Sequence, residues 1–281
     1  MAGIRFYHDF DFEYGVLETV SPLVRRMVAR NPGAFTGPGT GTYVVGHGNV
    51  TLIDPGPSLA GHIQALLHSL RGETIERILI THTHPDHWPA APSIQSATGA
   101  PIYGFAGGAG ERVLRDGDVL DGHGWHLEAV HTPGHTSDHL CFALPEEKTL
   151  FTGDHVMGWS TSVIIPPDGE MRAYMRSLEK LLQRDDAIYL PTHGPPVTDP
   201  KTHVRSFLEH RQERRAAILR RLSRGEASVS EIVRAVYTDV SPSLHGAAAL
   251  SVQAHLIELV ESGEVECDGS PVTARRFRRS F

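Results

Sequence analysis

The chain is poor in cysteine and has no long apolar run. Its 281 residues include two cysteines, Cys141 and Cys267, which lie far apart and form no C-x-x-C pair. We interpret each as a lone buried thiol, which excludes a disulfide framework. No stretch approaches the roughly 18 apolar residues that a transmembrane helix needs, so we do not expect a membrane protein.

A strong positive charge is also missing. The formal net charge is −7, with +3 on residues 201–281 and −10 on the remainder. The larger, acidic part is therefore not typical of a polyanion-binding protein. The first residues, MAGIRFYHDFDFEYG, carry scattered charges and no apolar segment. This pattern predicts that there is no signal peptide and that the protein is cytoplasmic.

Histidine, in contrast, is abundant, with 18 residues, and it clusters in THTHPDHWPA (Thr81–Ala90). The cluster directly follows RILI, a predicted buried strand, and so lies where α/β proteins commonly bind ligands. In the H-x-H step of an extended segment, His82 and His84 point the same way and can share a metal. Asp86 and His87 come from the following turn and can face a second metal. Four residues do not complete two sites, so we expect further ligands at other strand ends: His135 in HTPGHTSD, Asp154 in FTGDH and His193 in LPTHGPP.

The strand and helix patterns predict two similar layered halves with helices outside. GTYVVGHG and NVTLIDPG predict strands, and Leu59–Gly72 predicts a helix that ends in a glycine cap. Three more strands, the helix Met171–Gln183 and a final strand AIYL follow. After residue 200 the pattern changes to three helices and a short β-wing, which predicts a winged-helix domain at 201–281 behind a catalytic domain at 1–200.

The motifs H-x-H-x-D-H, T-P-G-H-T, G-D and a late H-G, in this order, resemble the metallo-β-lactamase superfamily over about residues 35–200. The resemblance implies an α/β fold, the αββα sandwich, with a dinuclear metal site at one edge of its two sheets. It also implies a set of roles: His82, His84 and His135 on the first metal; Asp86, His87 and His193 on the second; Asp154 bridging the two; and Asp54 in LIDPG as a supporting group.

Two metal ions of this kind predict a hydrolase that attacks with a metal-bridging hydroxide. Asp86 is the candidate catalytic residue, because a ligand of the second metal is placed to take up and pass on a proton. The chain has no G-x-S-x-G nucleophile motif. We expect two divalent ions, with zinc as the first choice and manganese or iron as alternatives.

A finer resemblance joins TPGHTSDH, MRAYMRSLEKLL and AHLIELVESGEV to the "lactamase-beta-like" branch, whose members carry a C-terminal winged helix. Some members are single-strand-specific endoribonucleases. The chain departs from many relatives at Trp88-Pro89, where they have small residues. A bulky ring at Trp88 would reshape the mouth of the pocket. Trp88 and Trp159 are candidate pocket residues, with ordinary packing as the alternative. His139 and His155 adjoin ligand motifs and are candidates for contacts behind the ligands.

Three functions stay open. The first is hydrolysis of an ester, thioester, lactone or amide bond in a small molecule, which the acidic catalytic domain favours. The second is cleavage of single-stranded RNA, and the third is the chemistry of a mononuclear iron enzyme of the persulfide-dioxygenase type. The winged helix is expected to mediate a homodimer or to cover the active site rather than to bind nucleic acid.

Overall fold

Two β-sheets face each other in the computed structural model, which describes residues 3–106, 110–238, 241 and 244–280. Within these residues the first sheet has seven strands in chain order. Its strands β1 to β4 pair antiparallel and β4 to β7 pair parallel. The strands are β1 Glu18–Thr19, β2 Val24–Val28, β3 Gly41–Val45, β4 Asn49–Ile53, β5 Thr74–Leu79, β6 Ile102–Phe105 and β7 Arg112–Leu114.

The second sheet has five strands among the described residues, in the order β12-β11-β10-β9-β8. Strands β8 to β11 pair antiparallel, whereas β11 and β12 run parallel. The strands are β8 Val119–Asp121, β9 His126–His131, β10 Leu140–Leu144, β11 Thr149–Gly153 and β12 Ile188–Pro191.

Alternate side chains of the strands fill the space between the sheets. In β3, Tyr43 and Val45 pack into the layer shared with the second sheet, whereas Val44 packs on the outer side. Successive side chains of a strand point to opposite faces, so one strand serves two cores. Helices cover the outer faces: α1 Ala60–Ser69 and α2 Ala91–Thr98 on the first sheet, and α3 Met171–Leu182 on the second. The predicted αββα sandwich is confirmed.

The C-terminal part consists of three helices and a two-stranded antiparallel sheet with its own apolar core. Its elements are α4 Pro200–Leu222, α5 Val229–Val236, α6 His245–Glu261, β13 Val265–Cys267 and β14 Phe277–Arg279. Helix α5 begins with a capping box, because the Ser228 side chain and Glu231 satisfy each other's backbone N–H groups. This arrangement is the predicted winged helix.

Helix α4 belongs to two cores. Val204 and Phe207 in its first half pack in the core that contains α3, whereas Ile218 and Leu222 pack in the core of the C-terminal part. The first half of α4 thus packs on the sandwich, and the domain boundary near residue 200 stays a prediction. Among the described residues, no helix combines the length and apolar character that a bilayer span requires.

Two details differ from expectation. Helix α1 ends at Ser69, and Gly72 lies beyond it with φ of +89° in the turn that leads to β5, so this glycine serves the turn rather than the helix cap. Cys141 is buried as expected, but Cys267 is only partly buried because its strand lies in the two-stranded wing.

Candidate metal centre

The candidate ligands converge at one edge of the sandwich, where five strands end. Asp54 follows β4, the turn from Thr81 to His87 follows β5, and Asp154 and His193 follow β11 and β12. His135 lies in the loop after β9. Because both sheets contribute strand ends to the same edge, residues more than 100 positions apart meet there.

The first group of potential ligand atoms belongs to His82, His84, His135 and Asp154, all within 4.8 Å of one another. Nδ1 of His84 lies 3.0 Å from Nε2 of His82 and 3.0 Å from Nε2 of His135. Oδ2 of Asp154 lies 3.6 Å from Nε2 of His135. Three imidazole nitrogens and one carboxylate oxygen therefore face a common point.

The second group belongs to Asp86, His87 and His193, again within 4.8 Å. Oδ2 of Asp86 lies 3.1 Å from Nε2 of His193 and 3.7 Å from Nε2 of His87. Oδ1 of Asp154 lies 3.5 Å from Nε2 of His87 and 3.4 Å from Nε2 of His193. Asp154 thus presents one carboxylate oxygen to each group.

Most of these imidazole rings are oriented by a hydrogen bond at Nδ1. Nδ1 of His135 lies 2.7 Å from the carbonyl oxygen of Val163, and Nδ1 of His193 lies 3.1 Å from that of Gly39. These carbonyls accept the Nδ1 proton, so Nε2 of each ring is left as a free electron-pair donor toward the centre.

Asp54 supports the turn that carries His82 and His87. Its carboxylate accepts hydrogen bonds from the backbone N–H and the hydroxyl of Thr81 at 2.8 and 2.7 Å, and from the hydroxyl of Thr192 at 2.8 Å. Its Oδ2 also lies 2.8 Å from Nδ1 of His87. Asp54 therefore orients His87 and joins two strand ends, rather than facing either group of ligands itself.

Burial and mutual charge set the protonation of the rings. Burial lowers the pKa of His135 to about 4 and the pKa of His82 well below its usual range, so both rings are neutral at neutral pH. For His87, burial alone would lower the pKa, but the carboxylates of Asp154 and Asp54 outweigh it and raise the pKa well above normal. The centre therefore stabilises positive charge, which divalent metal ions supply without protons.

Three buried polar atoms at the centre have no hydrogen-bond partner among the described residues: Nε2 of His87, Nε2 of His193 and Oδ1 of Asp154. Buried polar atoms are usually satisfied, so such a group needs an explanation. Imidazole nitrogen and carboxylate oxygen are the donors that zinc, manganese and iron accept. The residues therefore fit a metal centre.

The remaining predicted site residues lie at different depths. Nε2 of His139 accepts a hydrogen bond of 3.2 Å from the backbone N–H of Asp154, and its Nδ1 lies 2.9 Å from the hydroxyl of Thr132. Gly153, with φ of +51°, permits this approach, since a Cβ there would lie 2.5 Å from the His139 ring. His155 is buried behind the centre against the ring of Tyr174, with a centroid distance of 4.7 Å.

The two tryptophans differ. The ring of Trp159 lies against Gly194, where a Cβ would come within 2.5 Å of it, so this ring adjoins the loop of His193. Trp88 packs, partly buried, against the apolar core between the first sheet and α1 and α2. A role of either ring in a substrate pocket stays a prediction.

Sequence reasoning missed several supporting residues. Thr81 and Thr192 each directly precede a candidate ligand at a strand end, and this shared T-H pair could have indicated them. Ser162, whose hydroxyl donates to the carbonyl of Asp154 at 2.6 Å, and Arg211 on α4 carry no comparable sequence signal.

The chain belongs to the metallo-beta-lactamase superfamily. The family model for this superfamily matches residues 35–112 and 103–193, and that of the beta-lactamase associated winged helix domain matches residues 228–275. A C-terminal winged-helix domain of this type thus follows the metallo-beta-lactamase fold.

Relatives extend over most of the chain. The lactamase-like protein adaB of Aspergillus niger is 30% identical over 93% of this chain and 87% of its own length. A protein of Aspergillus terreus named atrochrysone carboxyl ACP thioesterase is 31% identical over 82% of this chain and 76% of its own length. A solved beta-lactamase domain protein from Burkholderia ambifaria covers 99% of this chain and 97% of its own, with a TM-score of 0.85 at 18% identity, which shows the shared fold alone. Together with the His/Asp cluster, the family makes the chain a metal-dependent hydrolase.

Proposed function

We propose that the protein is a dinuclear metallohydrolase that cleaves a thioester of a small carboxylic acid. In this proposal His82, His84 and His135 would hold one ion, and Asp86, His87 and His193 would hold the other. Asp154 would offer one carboxylate oxygen to each ion, with zinc as the expected metal. The observation that carries the proposal is the pair of ligand groups sharing one buried carboxylate, with unpaired ligand atoms pointing inward.

Two divalent ions, when bound, lower the pKa of a water molecule from about 15.7 toward 7 and polarise a substrate carbonyl. The chain itself orients the ligands through Asp54, Val163 and Gly39. This fixed second layer of hydrogen bonds keeps the donor atoms in place before the metals and the substrate arrive.

Asp86 is the residue that we expect to handle the proton. Its side chain is 25% exposed, whereas those of His87 and His193 are fully buried, so Asp86 faces the opening of the centre. Burial would raise the pKa of Asp86, but the close contact with the His193 ring, 3.1 Å from Oδ2 to Nε2, and the charge of His87 outweigh it, and the pKa is lowered. The carboxylate is therefore ionised and able to accept a proton at neutral pH.

We prefer a thioester as the substrate because one relative is named a thioesterase. The ligand geometry does not distinguish a thioester from an ester, lactone or amide. In thioester hydrolysis the carbonyl C–S bond breaks and a C–O bond forms with the oxygen of water. One proton of the water passes through Asp86 to the departing sulfur, and the other is released as the acid ionises. The products are a thiol and a carboxylate, and no further reactant is required.

A panel of substrates tests this choice. We would incubate the metal-loaded protein with acyl thioesters of N-acetylcysteamine, aryl esters, lactones, anilides and a single-stranded RNA. Thiol release, chromophore release and RNA fragments would be followed. Thioester cleavage is expected to be the fastest. Asp86→Asn should reduce it by about 10²–10⁴-fold, the usual contribution of a positioned acid or base. Asp185→Asn is the matched control, since this side chain is 86% exposed and pairs with surface lysines.

Each alternative has its own outcome in the same experiment. RNA fragments without thioester cleavage would replace the proposed substrate with RNA. One equivalent of iron per chain and no hydrolysis of any substrate would favour the persulfide-dioxygenase type. An unchanged thioesterase rate in Asp86→Asn would remove this residue from proton transfer.

A further inference from the structure

We propose that Arg211, on helix α4, is a positioning residue of the metal centre and couples the C-terminal part to it. The inference rests on the metal site of the proposed function and adds a residue outside the superfamily motifs. Arg211 is 2% exposed and lies in the helix that spans the two apolar cores.

The side chain of Arg211 reaches from α4 to the loop after β11. Its guanidinium donates a hydrogen bond to the backbone carbonyl of Ser162 and lies over the ring of Tyr174, 5.2 Å from the centroid. Tyr174, on α3, in turn donates its hydroxyl proton to the carbonyl of His155 at 2.9 Å. Arg211 and Tyr174 thus hold the two ends of the segment 155–162.

Ser162 connects this contact to the bridging carboxylate. Its hydroxyl, in a side chain with 1% exposure, lies 2.6 Å from the carbonyl oxygen of Asp154 and 2.8 Å from that of His155. The single hydroxyl proton is shared between these acceptors. The backbone that carries Asp154 is therefore fixed by Ser162, and Ser162 is fixed by Arg211.

The same loop also orients a ligand of the first group. Val163 follows Ser162, and its carbonyl oxygen lies 2.7 Å from Nδ1 of His135. A shift of the loop at Ser162 would therefore move both the carboxylate of Asp154 and the ring of His135. The buried guanidinium of Arg211 thus influences the positions of two of the seven candidate ligands, Asp154 and His135.

The charge of Arg211 is the second argument. Among the described residues, no carboxylate oxygen lies within 4.0 Å of this buried guanidinium. A buried cation without such a partner is costly, and a leucine or methionine would fill the same space without that cost. Leucine or methionine could not donate the hydrogen bond to Ser162, because this contact requires a long side chain that ends in a donor.

Arg214, one turn further along α4, provides a matched control. Its guanidinium also donates to a backbone carbonyl, that of Val236 at 2.7 Å, and also lies over a tyrosine ring, that of Tyr237 at 4.3 Å. Both of these partners belong to the C-terminal part. The two arginines therefore make the same kinds of contact, but only Arg211 reaches the loop of Asp154.

The experiment compares Arg211→Met, Arg211→Lys, Arg214→Met and Ser162→Ala with the unaltered full chain. The readouts are Zn²⁺ affinity by competition with a chelating dye, the visible spectrum of the Co²⁺-substituted protein, and hydrogen exchange of residues 154–163 without metal. We expect Arg211→Met to weaken binding of at least one ion by about 10–100-fold, to change the Co²⁺ bands and to speed exchange in the loop. Arg211→Lys should recover part of the affinity, because it keeps one donor.

Arg214→Met should leave metal affinity within about twofold of the unaltered protein, even where its melting temperature falls. Ser162→Ala should resemble Arg211→Met, and the double variant should be no worse than either single one. If Arg211→Met does not fold, the same measurements on Ser162→Ala and Arg211→Lys test the inference. Normal affinity, spectrum and exchange in these variants, or an equal loss of affinity in Arg214→Met, would overturn the inference. An unaltered protein that binds no metal would instead overturn the proposed function.

Discussion

Two sets of histidines lie within one molecule but in opposite electrostatic surroundings. The candidate metal-ligand histidines are His82, His84, His87, His135 and His193. The Arg211 histidines are His155, His210 and His255. In the first set, rings face the carboxylates of Asp86 and Asp154 or are held by Asp54. In the second set, burial and then the positive charges nearby, among them Arg211, lower the pKa of each ring to about 3.

The difference lies in the carboxylates rather than in the number of histidines. A metal ion is stabilised where neutral imidazoles and anionic oxygens meet, and it is repelled by a fixed guanidinium. Both ring nitrogens of His155 and of His255 are without hydrogen-bond partners among the described atoms. Among the described residues, these unpaired nitrogens lie beside Arg211 and have no carboxylate oxygen within 4.0 Å, so they do not make a cation site. The contrast predicts that substitutions around the first set change metal binding and activity, whereas substitutions in the second set change the pH dependence of stability.

The largest effect is expected at the shared carboxylate. Asp154→Asn removes the anionic charge between the two groups, so we expect loss of both ions and of at least about 10³-fold in activity, because the activated water is lost with the metals. Metal content and turnover of the purified variant measure this. Retention of both ions with near-normal turnover would contradict the bridging role.

Asp54→Asn should have a smaller effect, since Asp54 holds His87 without facing either group. We expect about 10–100-fold weaker metal binding, because the hydrogen bond that orients the ring loses its charge. Titration of the metal-free protein with Zn²⁺ measures the affinity. Thr192→Val, which removes one neutral hydrogen bond of 2.8 Å to the same carboxylate, is the milder control. Equal effects of the two substitutions would argue against an orienting role for the Asp54 charge.

The smallest effect belongs to the second set and appears as a pH dependence of stability. The pKa of His255 is about 3 in the folded chain and near 6.5 when unfolded, so the unfolded chain binds the extra proton between these values. For this group, the free energy of unfolding falls by up to about 1.4 kcal/mol per pH unit as the pH is lowered from 6.5 toward 3, and the dependence ends below that range. His255→Leu should flatten this acid dependence, as measured by urea unfolding of the metal-free protein.

His123→Leu is the control for that measurement, because its ring is 69% exposed and meets water in both states. We expect this variant to keep the slope of the unaltered chain. If His255→Leu keeps the same slope as well, His255 is not a neutral buried ring in the folded protein.

Most of the sandwich could be predicted from the sequence. Its strands are apolar runs that are followed by glycine, by proline or by the histidine and aspartate residues that commonly bind metals. Strand β2 is an instructive exception. Its sequence VRRMV shows no alternation of apolar and polar residues, yet Arg26 is buried, lying over Phe10 at 4.3 Å. Arg25 forms an ion pair of 2.6 Å with Glu73. Partners that are distant in sequence make this segment a strand, and local pattern does not reveal them.

The candidate site likewise contains residues that the sequence indicates and residues that it does not indicate. His82, His84, Asp86 and His87 share one short motif, and their residue types indicate metal chemistry by themselves. The structure brings them together with His135, Asp154 and His193, while their roles as ligands stay a prediction. Arg211 and Ser162 act through backbone carbonyls, which every residue has, so no residue type marks these contacts in advance.

The most direct test of the contrast between the two sets is the metal content of the chain and its variants by elemental mass spectrometry. We expect about two equivalents of zinc, or of manganese or iron, in the unaltered protein and in His255→Leu, and none in Asp154→Asn. An unaltered protein without metal after gentle purification, or an Asp154→Asn variant that keeps two equivalents, would contradict the account.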